Sequence, residues 1–231
     1  MPLKYSIAAL LIATAGCTAP LETPQKAESP IVPQDVPKLS AVSTPKPQGF
    51  SPEEFVLLND LNSGIQIEMR YAGTDNFLGR KIYAKNSCWL RAGAIAPLLR
   101  VQEKLRKQNL GLKVWDCFRP VSAQEQMWRI KPDPKFVAPP GKSKHNRGAA
   151  LDLTLVDRRG RELEMPTEFD DFSFRAAQGY GGASDRAKAN RKLLREAMEE
   201  EGFTPNPAEW WHFDAPGWKS YSVQENFPVQ P

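Results

Sequence analysis

The chain has 231 residues, 41% hydrophobic and 25% charged, a mix that suits a globular protein and excludes wholesale disorder or collagen-like repetition. Its 31 Lys and Arg against 27 Asp and Glu leave a dispersed net charge of +4, too weak a footprint for DNA or RNA, so no nucleic-acid partner is expected. With 2 His and 3 Cys, neither a multi-metal array nor a dense disulfide scaffold can be built, and any metal site must draw on carboxylates.

At the amino terminus Lys4 precedes the apolar run Ile7 to Ala13, followed by small residues up to Cys17. About 20 apolar residues are needed to span a bilayer, so the run reads as a signal peptide over residues 1–16 and not as a membrane helix. Thr14-Ala15-Gly16-Cys17 resembles the lipobox of bacterial lipoproteins, departing from it at Thr14, where that pattern usually has Leu. The resemblance implies a lipid on Cys17 and, with Thr18 in place of Asp after it, the periplasmic face of the outer membrane. The alternative is plain secretion, soluble or periplasmic, with cleavage a few residues away. Thr18 to Gln48 holds seven prolines, no glycine and no aromatic residue, so residues 17–48 are expected to form an extended tether. A folded domain is expected over residues 49–231.

Within that domain, Ala94, Leu98, Val101 and Leu105 recur at helical spacing, which predicts a helix from Arg91 to Asn109, with Pro97 marking the start of its regular part. Leu112 to Phe118 reads as a buried strand, and Ser122 with Glu125 as a capping box for a short helix after Pro120. Across Ala149 to Val156, Leu151, Leu153 and Leu155 alternate with Ala150, Asp152 and Thr154. A strand there would turn the leucines to the core and Asp152 to the opposite face. Ser184 to Gly202 predicts a second long helix and Glu209 to Phe213 a last short strand. The order predicts one α+β domain, a central antiparallel sheet flanked by helices.

Both histidines lie near an acid, His145 ahead of the strand bearing Asp152, and His212 three residues after Glu209. A lone histidine is more often a hydrogen-bonded core residue than a ligand; two in such settings make a metal site the stronger reading. Two imidazoles and one carboxylate on Zn²⁺ keep the fourth position for water, the arrangement of a hydrolytic site. His145, Asp152 and His212 would be the ligands of one zinc ion, with Glu209 the natural base for its water. Residues three apart in a flat strand face opposite ways, so Glu209 must sit in the preceding turn or at a bulge.

Ser143, His145, Gly148, Ala150 and Asp152 in the spacing SxHxxGxAxD, and Glu209 and His212 as ExxH, resemble the motifs of zinc D-Ala-D-Ala dipeptidases of the VanX type and their carboxypeptidase and hedgehog-like relatives. Tyr71 to Gly79, Asp116 to Pro120 and Glu168 to Phe172 extend the likeness to the dipeptidase branch, over about Ile65 to Phe213. The resemblance implies the hedgehog and D-Ala-D-Ala peptidase-like fold with zinc in a cleft. It implies zinc ligation by His145, Asp152 and His212, Glu209 as general base and then proton donor, and Arg119 stabilising the tetrahedral intermediate. Tyr71 and Asp170 match positions that hold the free amino group of the dipeptide, and Ser143 a position close to substrate. The plainer roles stay open: Arg119 paired with Asp116 to shape a turn, Asp170 part of a solvated acidic loop with Glu168 and Asp171, Ser143 a turn-forming hydroxyl.

Once Cys17 is lipidated or removed, Cys88 and Cys117 form an even pair, which in an exported protein reads as a disulfide more readily than as free thiols or a Cys nucleophile. Trp210 and Trp211 read as one core ring and one cleft wall. The function expected is an exported zinc dipeptidase acting on D-alanyl-D-alanine or similar dipeptides in cell-wall turnover. The substrate is then a small dipeptide and the lipid anchor the membrane partner, with no obligate protein partner. Resistance by removal of a cell-wall precursor would require the cytoplasm, so scavenging or stem trimming fits an exported chain better. The alternatives are a D,D- or L,D-carboxypeptidase acting on peptidoglycan stems, and a non-catalytic zinc-containing wall-binding domain.

Overall fold

Alternation of apolar and polar residues marks where the central strand of the sheet runs. The structure, a computed structural model, describes residues 49–228; the signal segment 1–16, Cys17 and the tether up to residue 48 lie outside the described residues. In chain order the elements are β1 (Phe55–Leu57), β2 (Gln66–Ile67), β3 (Trp89–Arg91), α1 (Ala92–Arg106), β4 (Leu110–Asp116), α2 (Val121–Ile130), β5 (Ala150–Asp157), α3 (Asp185–Glu199), β6 (Thr204–Pro205) and β7 (His212–Asp214). β1 pairs with β3, and a five-stranded sheet runs β2-β4-β5-β7-β6. This is the α+β architecture expected, with one correction. The sheet is mixed, because β2 pairs parallel to β4 while the other neighbours are antiparallel. A parallel neighbour needs a crossover, and α1 lies within the connection from β2 to β4.

β5 is buried on both faces along nearly its whole length. Leu151, Leu153 and Leu155 are fully buried with Leu112 and Val114 of β4, in one core with Ile95, Leu98 and Leu105 of α1 and Leu194 and Met198 of α3. An aromatic layer forms the second part of the core: Phe169 meets the rings of Tyr71, Trp115 and Trp211, and Trp210 meets Trp115 and Trp211. Burial of apolar area at about 25 cal/mol per Å² makes these layers the main source of stability.

The helix ends correct two local expectations. α1 begins at Ala92, so Pro97 lies inside it and does not mark its start. The lost hydrogen bond is tolerated there because Ala94, Ile95 and Leu98 around it are fully buried. In α2 the cap position belongs to Pro120 and carries no side-chain bond, so Ser122 and Glu125 form no capping box. Ser122 falls one residue into the helix, and Glu125 lies instead 3.5 Å from Arg129. Ser184 does cap α3, its Oγ accepting from the Ala187 amide at 3.0 Å. Among the described residues no helix is long and apolar enough to cross a membrane.

Candidate active site

Strand register brings the polar side chains into one row. Asp116 on β4 lies opposite Asp152 on β5, and Asp152 lies opposite His212 on β7, so the three emerge side by side on one face. A bulge at Trp115 shifts the register just before Asp116 and re-aims the end of β4. His145 arrives from the turn preceding β5. That turn closes at Gly148 with φ +66°, a left-handed conformation that favours glycine, and a Cβ there would run into the Phe55 ring. Two bonds tie the turn to the chain after β4: the Arg119 amide donates to the His145 carbonyl at 3.1 Å and Asn146 Nδ2 to the Arg119 carbonyl at 2.7 Å. The loop joining β6 to β7 carries Glu209, and the Asn206 amide closes it by donating to the His212 carbonyl at 2.9 Å. The last strand therefore starts at His212 and not at Glu209, and Glu209 stands in the turn.

His145 Nε2, His212 Nδ1 and Asp152 Oδ1 form a triangle with sides of 3.1, 2.9 and 3.3 Å. Ligands about 2.0 to 2.1 Å from a tetrahedral zinc ion stand about 3.3 Å apart, so the triangle fits one face of such a shell. The outer nitrogens are engaged in a way that fits such a donor set. His145 Nδ1–H donates to the Cys117 carbonyl at 2.7 Å, and His212 Nε2–H to Asp214 Oδ1 at 3.0 Å, so each ring, when neutral, turns a lone pair inward. Two lone pairs and a carboxylate facing one point call for a positive charge. The same demand pushes His212 up to about 10: burial opposes its charge, and the hydrogen bonds to Asp152 and Asp214 outweigh burial. Asp152 is held well below the usual carboxylate range, because His145 and His212 outweigh its burial.

Glu209, Arg119, Ser143, Tyr71 and Asp170 line one cavity of about 180 Å³ with this triangle. Glu209 Oε2 lies 3.9 Å from His212 Nδ1 and accepts from Asn206 Nδ2 at 2.9 Å. Burial pushes Glu209 above the ordinary glutamate value, partly offset by His212. Arg119 does pair with Asp116, at 3.0 Å through Nε and 2.5 Å through Nη2. The same guanidinium reaches to 3.9 Å from Asp152 Oδ2 and bonds Gln124 Oε1 at 2.9 Å. The turn-shaping contact and the site-facing position are thus one arrangement. Ser143, buried, accepts from the His145 amide at 3.3 Å and also lines the cavity.

At the far wall, both Asp170 oxygens stand 3.1 Å from the Tyr71 hydroxyl, and the Phe77 amide donates to one of them at 3.4 Å. Asp170 holds a left-handed φ of +60°, which points it inward. Glu168 is exposed and Asp171 turns to Arg175 at 3.3 Å, so Asp170 does not share the solvated loop of its neighbours. Its desolvation, with the Asp152 charge, pushes it up to about 8.

The family model described as D-Ala-D-Ala dipeptidase matches residues 51–230. The chain belongs to that family. It is 36% identical to the D-alanyl-D-alanine dipeptidase of Escherichia coli (strain K12) over 171 residues, 74% of this chain and 89% of that one. It is 31% identical to that of Enterococcus faecium over 203 residues, 76% of this chain and 98% of that one. Among solved structures it is similar to the LD-carboxypeptidase LdcB, with TM-score 0.42 and 19% identity over 76% of this chain and 73% of that one.

Cys88 and Cys117 of this D-Ala-D-Ala dipeptidase family member are joined in a buried disulfide with a Cα–Cα distance of 5.3 Å, so neither is a free thiol nucleophile. Trp211 lines the cavity while Trp210, equally buried, donates from Nε1 to Thr167 Oγ1 at 2.9 Å. Sequence reading missed Asp214, Asn206 and Gln124. Asp214 had a signal, since it follows His212 by two residues in a strand and must share its face. Asn206 and Gln124 carried none, because their roles arise only where separate loops meet.

Proposed function

We propose that this chain hydrolyses D-alanyl-D-alanine and similar free dipeptides as a zinc peptidase of cell-wall peptide turnover. The observation that carries the reading is the convergence of two inward imidazole nitrogens and a carboxylate on one point, with Glu209 and Arg119 beside it and Asp170 across the cavity. His145, Asp152 and His212 would hold the zinc, which when bound polarises the scissile carbonyl and lowers the pKa of water from about 15.7 to near 7. Glu209 accepts the proton of the attacking water and returns it to the leaving amine nitrogen, a role its raised affinity for protons suits. Arg119 is locked by Asp116 and Gln124, so its guanidinium faces the developing oxyanion without reorganising. Asp170 and the Tyr71 hydroxyl receive the substrate ammonium. A peptide blocked or extended at its amino end offers a neutral amide instead, which leaves the half-buried carboxylate unpaired.

The test is release of D-alanine from D-Ala-D-Ala by the zinc-loaded chain and by Glu209→Gln. The wild type should hydrolyse the dipeptide and the variant should keep its zinc and lose turnover. Full activity in the variant with zinc still bound would remove Glu209 from the mechanism.

We also propose that residues 17–48 tether the domain to the periplasmic face of the outer membrane through a lipid on Cys17, on the strength of the signal pattern and the proline-rich stretch. Palmitate should label the wild-type chain in cells and not Cys17→Ala; equal labelling of both would place the lipid elsewhere.

A further inference from the structure

Different groups stand behind the two imidazoles. The outer nitrogen of His145 donates to the Cys117 carbonyl at 2.7 Å, with Asp116 Oδ2 farther off at 3.7 Å, whereas the outer nitrogen of His212 is hydrogen-bonded to a carboxylate, Asp214 Oδ1 at 3.0 Å. Asp214 ends β7, in register with Ala150 on one side and Thr204 on the other, and is 8% exposed. Its second oxygen lies 3.4 Å from Lys144 Nζ, whose ammonium also stands 5.3 Å from the centre of the Trp218 ring. Lys144 sits in the turn that carries Ser143 and His145. Asp214 therefore joins both ligand-bearing segments from behind: one oxygen fixes the His212 ring, the other reaches the His145 turn.

We propose that Asp214 is a positioning residue of the metal site, with Lys144 holding its carboxylate in place. The carboxylate accepts the Nε2 proton of His212, so the ring presents its Nδ1 lone pair inward, and its negative charge makes that nitrogen a stronger ligand. Behind His145 the hydrogen-bond acceptor is a neutral carbonyl and the nearest carboxylate, Asp116, is 3.7 Å away, so the direct charged hydrogen bond belongs to His212. The inference rests on the zinc reading of the site given above.

The experiment measures zinc affinity by chelator competition, the visible spectrum of the Co²⁺-substituted protein, and the melting temperature of the metal-free protein. It compares the wild type with Asp214→Asn, Asp214→Ala and Lys144→Met. Asp214→Asn keeps the side-chain volume and guards against misfolding in the alanine variant. Both Asp214 variants should bind zinc about 10 to 100 times more weakly and shift the Co²⁺ bands, with the metal-free melting temperature of Asp214→Asn near that of the wild type. Lys144→Met should lose less, in the same direction. Unchanged affinity and bands in both Asp214 variants would overturn the inference. So would weaker binding that merely tracks lost metal-free stability with unchanged Co²⁺ bands. A wild-type chain that takes up no zinc would overturn the zinc reading itself, an outcome distinct from either.

Discussion

Asp152 and Asp170 face the same cleft, yet one is held well below the ordinary aspartate range and the other is pushed up to about 8. Asp152 rises from the middle of the sheet between two histidines. Asp170 stands on a loop, in a left-handed backbone conformation, with a tyrosine hydroxyl and one amide for partners. The first is a carboxylate set between two imidazoles; the second, in the function proposed above, takes its matching cation from the substrate. Pairs of acids pushed apart by their surroundings take different roles, and in that proposed function the division is between holding the metal and recognising the substrate. The sheet end is tied by register, a disulfide and a closed turn, whereas the loop end is set by few bonds.

If that division is right, the largest activity loss falls on the sheet side. Arg119→Ala should lower kcat by about 100-fold to 1,000-fold with little change in KM, as for loss of one oxyanion donor; a rise in KM alone would make Arg119 a binding residue. Removing the bridge with Cys88→Ser and Cys117→Ser together should destabilise the fold. The bond closes a separation of 29 residues, worth about 3 to 4 kcal/mol in chemical denaturation. Stability equal to the wild type would show that the sheet end does not depend on it.

Asp170→Asn should cut kcat/KM for a free dipeptide about 10-fold to 100-fold, the worth of a charged hydrogen bond, mostly through KM. The same substitution should stabilise the metal-free protein at pH 8. The folded state holds the Asp170 proton more tightly than the unfolded chain, whose value is 3.8. The Asp170 contribution to wild-type stability therefore falls as pH rises from about 4 to about 8, and asparagine removes that contribution. Parallel melting curves for the two proteins across this range would contradict the desolvated setting.

What could be read from the sequence follows the same division. The period of two across Ala149 to Val156 placed Asp152 opposite the leucines, and the geometry of a strand required Glu209 to leave it before His212. Periodicity reports residues whose side chains a regular backbone aims. β2 was not legible, because two residues carry no period, and its parallel pairing depends on where α1 returns the chain. The helix limits were misread at Pro97 and Ser122, where burial of neighbouring residues and the fixed φ of Pro120 outweighed local preference. At the loop end, Asp170 was reached through the family resemblance. Its inward turn depends on a positive φ and on contacts 99 residues away in Tyr71.

The most direct test of the two-ended cleft is hydrolysis by the zinc-loaded chain of three substrates side by side: D-Ala-D-Ala, its N-acetylated form, and a pentapeptide ending in D-Ala-D-Ala. The account predicts release of D-alanine from the free dipeptide alone. Comparable cleavage of the blocked or longer peptides would contradict it, making the chain a carboxypeptidase with no ammonium clamp at Asp170, and no cleavage of any would favour a wall-binding domain.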